Sequence, residues 1–433
     1  MRILQVVHDF LPRHQAGSEL YTYHLSQALL QAGHDVQLCF TEYRGGHETG
    51  AGDGRVQQFT FDGLTCHEIA FSTFLPTLDS MYEVPAVAAA FRRVLAALRP
   101  DVVHFQTLLL FGPSCVEWAV DAGAAVVLTL HDYNLSCLHH GRLQLPDGQL
   151  CRGPEPLACA RCAQELVNVR VWFARNHWPP DRERWAALGA PMVTRRLERL
   201  RAATARVHLA VAPSRFLLEQ LADVAVPRAL LVHHDYGFPP LRPVPRVPRT
   251  GPLRVGFLGT ISDYKGVHLL VEAIARLGPA APVACAIHGD PTWFPDYVAR
   301  LRERLPPQVQ FAGPCPRERI PEVLAALDVL VVPSTWYENS PLTIHEARQA
   351  GVPVVTAALG GMAELVQDGR NGRCFVANDA ADLARVLGEL SADPAQVERL
   401  GMDRSGVTTI ADDAAWMAAR YREILARLAC APQ

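Results

Sequence analysis

Short blocks of aliphatic residues alternate along this chain with longer stretches whose apolar positions recur at helical spacing. The blocks Ile3–Val7, Val36–Phe40, Val102–Phe105, Ala125–Leu130 and Val207–Val211 precede a proline-rich stretch. Leu253–Leu258, Val283–His288, Val309–Ala312, Val329–Val332 and Val354–Thr356 follow it. Blocks this apolar read as strands buried on both faces, and the helical stretches between them read as crossovers. The pattern therefore predicts an α/β fold of two doubly wound Rossmann-like domains facing a central cleft.

The proline-rich stretch, Phe238–Pro252, carries Pro239, Pro240, Pro243, Pro245, Pro248 and Pro252 with Arg242, Arg246 and Arg249 between them. Such a segment enters neither sheet nor helix and reads as a semi-rigid linker over 238–252. It separates a domain over 1–237 from one over 253–410. The last helical pattern, Ala411–Leu428, sets Trp416, Tyr421 and Leu425 at amphipathic spacing.

At 433 residues the chain suffices for two domains with separate cores. A hydrophobic share of 49%, a charged share of 20% and a net charge of −3 indicate a soluble globular protein and argue against nucleic acid as a partner. No apolar run is long enough to span a bilayer, and the opening MRILQVVHDF reads as a strand and not as a signal peptide. Cytoplasmic placement follows, with the eleven cysteines mostly reduced.

Candidate chemistry concentrates in Val329–Gly351, VLVVPSTWYENSPLTIHEARQAG. A buried strand ends in a loop through Asn339-Ser340. Pro341 suits the first helical position, Leu342 continues the helix, and Gly351 suits its stop. Glu338 then lies in the loop and Glu346 about one and a half turns into the helix. A helix start at the carboxyl end of a parallel strand offers unpaired N–H groups and positive potential, as a diphosphate requires. A carboxylate deeper along the helix can accept both hydroxyls of a ribose.

The chain has forty arginines and one lysine, Lys265. Exposed sites tolerate that exchange, but a site needing a compact ammonium does not. Lys265 lies in RVGFLGTISDYKG, where a strand runs through Gly259 and Thr260 toward the helix Val267–Leu277. In the first domain, Gln15-Ala16-Gly17-Ser18-Glu19 precedes a helix expected from about Leu20, and His131 ends the strand in VLTLHDY. No G-x-G-x-x-G turn, Walker A loop or D-x-D pair occurs, which disfavours a dinucleotide cofactor and a metal-bridged diphosphate.

These segments resemble glycosyltransferase family 4, the large group of retaining enzymes with the GT-B fold. E-N-S-P-L-T-I-H-E-A is similar to its E-x7-E motif. The strand, glycine and K-G element is similar to the one whose lysine contacts the donor diphosphate. T-L-H-D is similar to its T-x-H-D, and Gly360-Gly361 with Glu364 resembles the loop that packs over the nucleotide. The resemblance implies Lys265, Glu338 and His131 as catalytic residues. It implies Gly17, Gly259, Thr260, Asn339, Ser340, Pro341, Leu342 and Glu346 around the donor. Two departures stand out: Thr260 occupies a position where many relatives carry Arg, and Ala16 replaces the first of two glycines before Glu19. The family's terminal helix crosses back onto the first domain, which implies the same for 411–433. Read apart from the resemblance, His131 is equally a hydrogen-bonded structural histidine.

Four cysteines follow His131 with the spacing C-x13-C-x7-C-x2-C: Cys137, Cys151, Cys159 and Cys162. In a polar insertion over 134–165, they fit a closed tetrahedral zinc site. Free cysteines, an iron–sulfur centre or disulfides are the alternatives, and His139 or His140 can replace a thiol. A subset of the family is similar in carrying a cysteine-bearing insertion here. Beyond it, Trp172, Phe173, Trp178 and Trp185 interleave with Arg170, Arg175, Arg182 and Arg184. The next helix places Val193, Leu197, Leu200 and Thr204 on one face and Arg195, Arg199 and Arg206 on the other. The arginines are either solvated or in peripheral contact with an anionic membrane at the inner leaflet.

The resemblance implies retaining transfer of a sugar from an NDP-sugar to a glycan or lipid-linked acceptor in cell-surface polysaccharide synthesis. No cofactor is required for transfer, a structural zinc apart. Attack on the same face, with a donor phosphate oxygen taking the acceptor proton, is likewise implied by the family. A noncatalytic nucleotide-sugar-binding protein and a sugar-nucleotide 2-epimerase are the alternatives. Pyridoxal phosphate phosphorolysis is disfavoured, because the one Schiff-base amine would be Lys265 itself.

Overall fold

In the computed structural model, which describes residues 1–44, 53–72, 82–166 and 181–430, the chain forms two compact units. One comprises Met1–Gly237 with Thr408–Gln433, the other Phe238–Val407. Trp172, Phe173, Trp178, Arg170 and Arg175 lie outside the described residues.

The first unit is built on an 8-stranded sheet of order β3-β4-β2-β1-β5-β6-β7-β8. The strands are β1 (Arg2–Val7), β2 (Asp35–Tyr43), β3 (Val56–Phe61), β4 (Leu64–Phe71), β5 (Val102–Phe105), β6 (Ala125–Thr129), β7 (Leu209–Ala212) and β8 (Leu231–His233). All neighbours are parallel except the β3–β4 hairpin. Ile3, Leu4, Val6 and Val7 are fully buried, as a strand covered on both faces requires. Order reverses between β1 and β5, so the loops after these strands flank the sheet's switch point.

The second unit holds a 6-stranded parallel sheet of order β11-β10-β9-β12-β13-β14. Its strands are β9 (Leu253–Leu258), β10 (Val283–His288), β11 (Val309–Gly313), β12 (Val329–Val332), β13 (Val354–Ala357) and β14 (Gly372–Phe375). Here the switch point falls between β9 and β12, the strands that lead to Lys265 and Glu338.

The proline-rich stretch has no regular secondary structure and is fastened to the second unit. Leu241 N–H donates to Gln349 Oε1 at 2.6 Å, and Arg246 reaches the carbonyl oxygens of Gly351 and Leu327. The terminal helix Ile410–Cys430 joins the first unit. Tyr421 OH pairs with His104 Nδ1 at 2.7 Å, Trp416 stacks on His234 at 3.8 Å, and Gly237 N–H donates to the buried Asp413 at 2.8 Å. Its buried face is Asp413, Ala414, Met417, Ala418, Tyr421 and Ile424, so Trp416 and Leu425 flank that face.

Candidate active site

In the second unit two loops meet at the switch point. Gly266, in left-handed conformation at φ 71°, lies against Pro333, where an added Cβ would stand 1.9 Å from the carbonyl oxygen. Thr335 N–H donates to Tyr264 O at 2.9 Å. This docking brings Lys265 Nζ to 2.5 Å from Glu338 Oε1. The same oxygen accepts from Ser334 Oγ at 2.8 Å and Trp336 Nε1 at 3.0 Å, and the ammonium lies 5.8 Å from the Trp336 ring centroid. Glu338 is buried and Lys265 half-buried, so the pair is anchored on its acidic side and open on its basic side. Gly360-Gly361 closes over this loop: Gly361 N–H donates to Glu338 O at 2.8 Å, and a Cβ on Gly361 would stand 1.6 Å from Asn339 O.

The helix after the loop is Leu342–Ala350, with Pro341 as its N-cap at φ −62° and ψ 124°. Helical geometry therefore begins one residue later than expected. Ser340, the residue with capping chemistry, instead pairs its Oγ with His345 Nε2 at 2.6 Å, and no side chain caps the helix. Asn339 and Ser340 are buried. Glu346 is then just over one turn in, not one and a half. It is buried, and Arg317 Nη2 donates to its Oε1 at 2.5 Å. Burial raises the Glu346 carboxyl above its ordinary value, against the opposing pull of Arg317. His345 stacks on Phe238 at 4.1 Å, and burial takes its pKa down to about 3. Gly259 and Thr260, both half-buried, follow β9 directly.

In the first unit the helix expected from about Leu20 begins at Gly17, again with no side-chain cap. Gly17 has a negative φ and open space where a Cβ would stand, so neither strain nor crowding demands glycine there. His8 Nε2 lies 3.4 Å from Glu19 Oε1, and His8, Asp9 and Glu19 cluster within 4.8 Å. His131 is held at both ring nitrogens. Nε2 pairs with Gln106 Oε1 at 2.8 Å and Nδ1 with Tyr236 OH at 2.6 Å, while the ring stacks on Tyr236. Burial lowers its pKa to about 3, with further lowering by His104 and His8, so the imidazole is neutral at physiological pH. It lines a pocket with Gln106, Thr107, Asp132 and Arg196.

Cys137 is buried, and Cys151, Cys159 and Cys162 are half-buried free thiols. Arg195, Arg199 and Arg206 are exposed. Arg206 lies past the helix end at Thr204, and Arg199 and Arg206 pair with Glu117 and Asp121. No helix among the described residues is long and apolar enough to cross a membrane. Sequence reasoning missed Arg317, Ser334, Gln106, Tyr236 and Arg196. One arginine among forty carries no local signal.

Two Rossmann-like units with parallel sheets of this kind define the GT-B class of α/β fold. The chain belongs to glycosyltransferase family 4. That family model matches residues 16–234, and the model for glycosyl transferases group 1 matches residues 244–403. A D-inositol 3-phosphate glycosyltransferase of Streptomyces bingchenggensis is 32% identical over 171 residues, covering 37% of each chain. A glycogen synthase of Mycobacterium tuberculosis is 33% identical over 158 residues, covering 36% of this chain and 37% of that protein. The matches thus span little more than a third of these relatives. Sucrose-phosphate synthase of Thermosynechococcus elongatus superposes with a TM-score of 0.68 at 16% identity, covering 98% and 99% of the two chains. Anabaena HepE in complex with UDP and glucose gives 0.60 at 18% identity, covering 99% and 98%. These two likenesses concern the fold.

Proposed function

We propose that the chain transfers a sugar from a nucleoside diphosphate donor to a hydroxyl of a glycan or lipid-linked acceptor, with retention of configuration. The observation that carries the reading is the switch point of the second sheet. There a lone lysine is anchored on one buried carboxylate, and a second buried carboxylate follows an uncapped helix start. Breaking the anomeric bond develops negative charge on the departing diphosphate and positive charge on the sugar. Lys265 Nζ and the N–H groups of Leu342 and Thr343 would stabilise the first, the Ile344 N–H being taken by Pro341 O; Glu338 would orient sugar hydroxyls, and Glu346 would hold the ribose. Gly259 and Thr260 would border the diphosphate. His131, neutral with both nitrogens occupied, would act as an orienting group at the acceptor side and not as a base. Cell-surface polysaccharide is the acceptor class implied by the family resemblance. Of Arg195, Arg199 and Arg206, the last two are already paired with Glu117 and Asp121, so Arg195 is the one of the three left to support contact with an anionic membrane.

A panel of UDP-, GDP- and ADP-sugars, scanned by thermal shift and then for transfer, tests the reading. The expected result is stabilisation by one nucleotide class and turnover of its sugar above background. Binding without turnover indicates a sensor; epimerised donor without any acceptor indicates a 2-epimerase. Either outcome overturns the assignment. Chelation by EDTA is expected to leave the chemical step intact.

A further inference from the structure

The loop leaving β6 folds back on itself twice. Tyr133 N–H donates to Gly141 O at 3.0 Å and Cys137 N–H to Tyr133 O at 2.7 Å. His140, Gly141 and Leu143 complete the turn in left-handed conformation. Two of these are not glycine, so the turn persists only because its surroundings hold it. Burial holds the Cys137 thiol above its ordinary pKa, while the backbone N–H groups of Leu143, His139 and Arg142 approach its sulfur and oppose that rise. A bridge between Gln144 and Leu150 then returns the chain, and Cys151 N–H donates to Leu143 O at 2.7 Å. Glu155 caps the helix Pro156–Ala163, accepting from the Leu157 and Ala158 N–H groups, and that helix carries Cys159 and Cys162 about one turn apart. Each of the four thiols is near enough to the other three for charge on one to act on another.

A buried cation faces them. Arg196 is 4% exposed, donates to the carbonyl oxygens of Asn134 and Leu135, and leaves its Nε without a partner among the described residues. After desolvation, the charges that act most strongly on it are those of Cys137, Tyr82, Cys159 and Asp132. A guanidinium buried in this way is costly unless negative charge lies nearby. Asp132 supplies part of that charge, and a metal site of net negative charge would add to it.

We propose that Cys137, Cys151, Cys159 and Cys162 bind a zinc ion as four thiolates, closing the loop that walls the His131 pocket. Each thiol gives its proton to solvent as its Zn–S bond forms, leaving a net negative site opposite Arg196. In such a site the sulfurs stand about 3.8 Å apart, around bonds of about 2.3 Å. No three of them now lie within 4.8 Å of one another, so binding draws them inward by side-chain rotation. The contacts replaced are weak: Cys137 Sγ to His139 O at 3.8 Å and Cys151 Sγ to Gly153 O at 3.4 Å. His139 Nδ1 already pairs with Gln144 O at 2.7 Å, which leaves the thiols as the preferred donors.

The test is elemental analysis of the full chain purified without chelators, beside a Cys159→Ser/Cys162→Ser variant and a Cys315→Ser/Cys430→Ser control. About one zinc per chain is expected, retained in the control and lost in the variant. Should the variant fail to fold, cobalt exchange into the unmutated chain gives the deciding measurement. The visible spectrum of a tetrahedral tetrathiolate is expected. A metal-free chain whose four thiols react freely, a Cys–Cys disulfide, or bound iron with sulfide would each overturn the proposal.

Discussion

Glu346 carries its charge where the protein gains nothing from it. Burial lifts its carboxyl above the ordinary 4.5, and Arg317 offsets only part of that. A carboxyl raised by folding adds stability that is complete below its unfolded pKa and is lost as pH rises through the folded value. At neutral pH the ionised side chain therefore opposes folding, and its place at the helix start is explained by what it binds. Glu346→Gln is expected to leave the melting temperature unchanged or raised, while transfer falls at least about tenfold, or roughly 1.4 kcal/mol. Arg317, half-exposed, then turns to water. Lys265→Ala is expected to cost at least about as much in transfer, because the remaining partners of Glu338 include no cation. Parallel melting curves and rate measurements check both variants; full activity in both would remove the proposed function.

At the scale of elements, the site depends on loops that touch through glycine. Gly361 approaches Asn339 O so closely that a methyl group cannot fit without displacing the Glu338 loop. Gly361→Ala is expected to lower transfer by more than about tenfold while the sheet, its strands untouched, stays folded. Circular dichroism together with a rate assay would check this, and normal transfer would show that the loop yields. This dependence was only partly legible. The strand Val329–Val332, buried at every position, is readable to the residue, because a strand buried on both faces must be continuously apolar. Two helix starts were misplaced, since capping depends on which partner a side chain finds: Ser340 finds His345 and leaves the N-cap to Pro341. The β3–β4 hairpin was not anticipated, although Asp62-Gly63, both at positive φ, is a recognised hairpin turn. The strand β8 has only three residues, and β14, GRCF, has no apolar run to stand out by pattern.

Across the whole molecule, three histidines, His104 and His345 buried and His131 half-buried, make stability depend on acid. His104, His131 and His345 each titrate near 3 because burial disfavours the imidazolium. The unfolded chain takes up their protons below about 6.5 while the folded chain does not, so stability present above that pH is lost as pH falls toward 3. Each contributes up to about 1.4 kcal/mol per pH unit within that window. The urea midpoint is expected to fall steadily between pH 7 and 5, above the range where carboxylates dominate, and His104→Gln is expected to flatten the slope. A midpoint that does not move over this interval would mean that the histidines titrate normally. His104 also ties the terminal helix to the first sheet through Tyr421, so the same titration loosens an element far from it in sequence.

By itself the amino-acid order determined the α/β class, the division near the proline-rich stretch, and a short set of chemically unusual residues: one lysine, two spaced carboxylates, one strand-end histidine and four cysteines. These are legible because hydrophobic periodicity and residue rarity are local properties. Tertiary structure alone decided which of them meet. Lys265 and Glu338, far apart in sequence, share a hydrogen bond because the switch point of a parallel sheet sets their loops side by side. Arg317 reaches Glu346, and Arg196 comes to face the thiols, by packing that no sequence window contains. Burial, which decides whether a carboxylate or an imidazole keeps its charge, depends on neighbours brought from elsewhere in the chain.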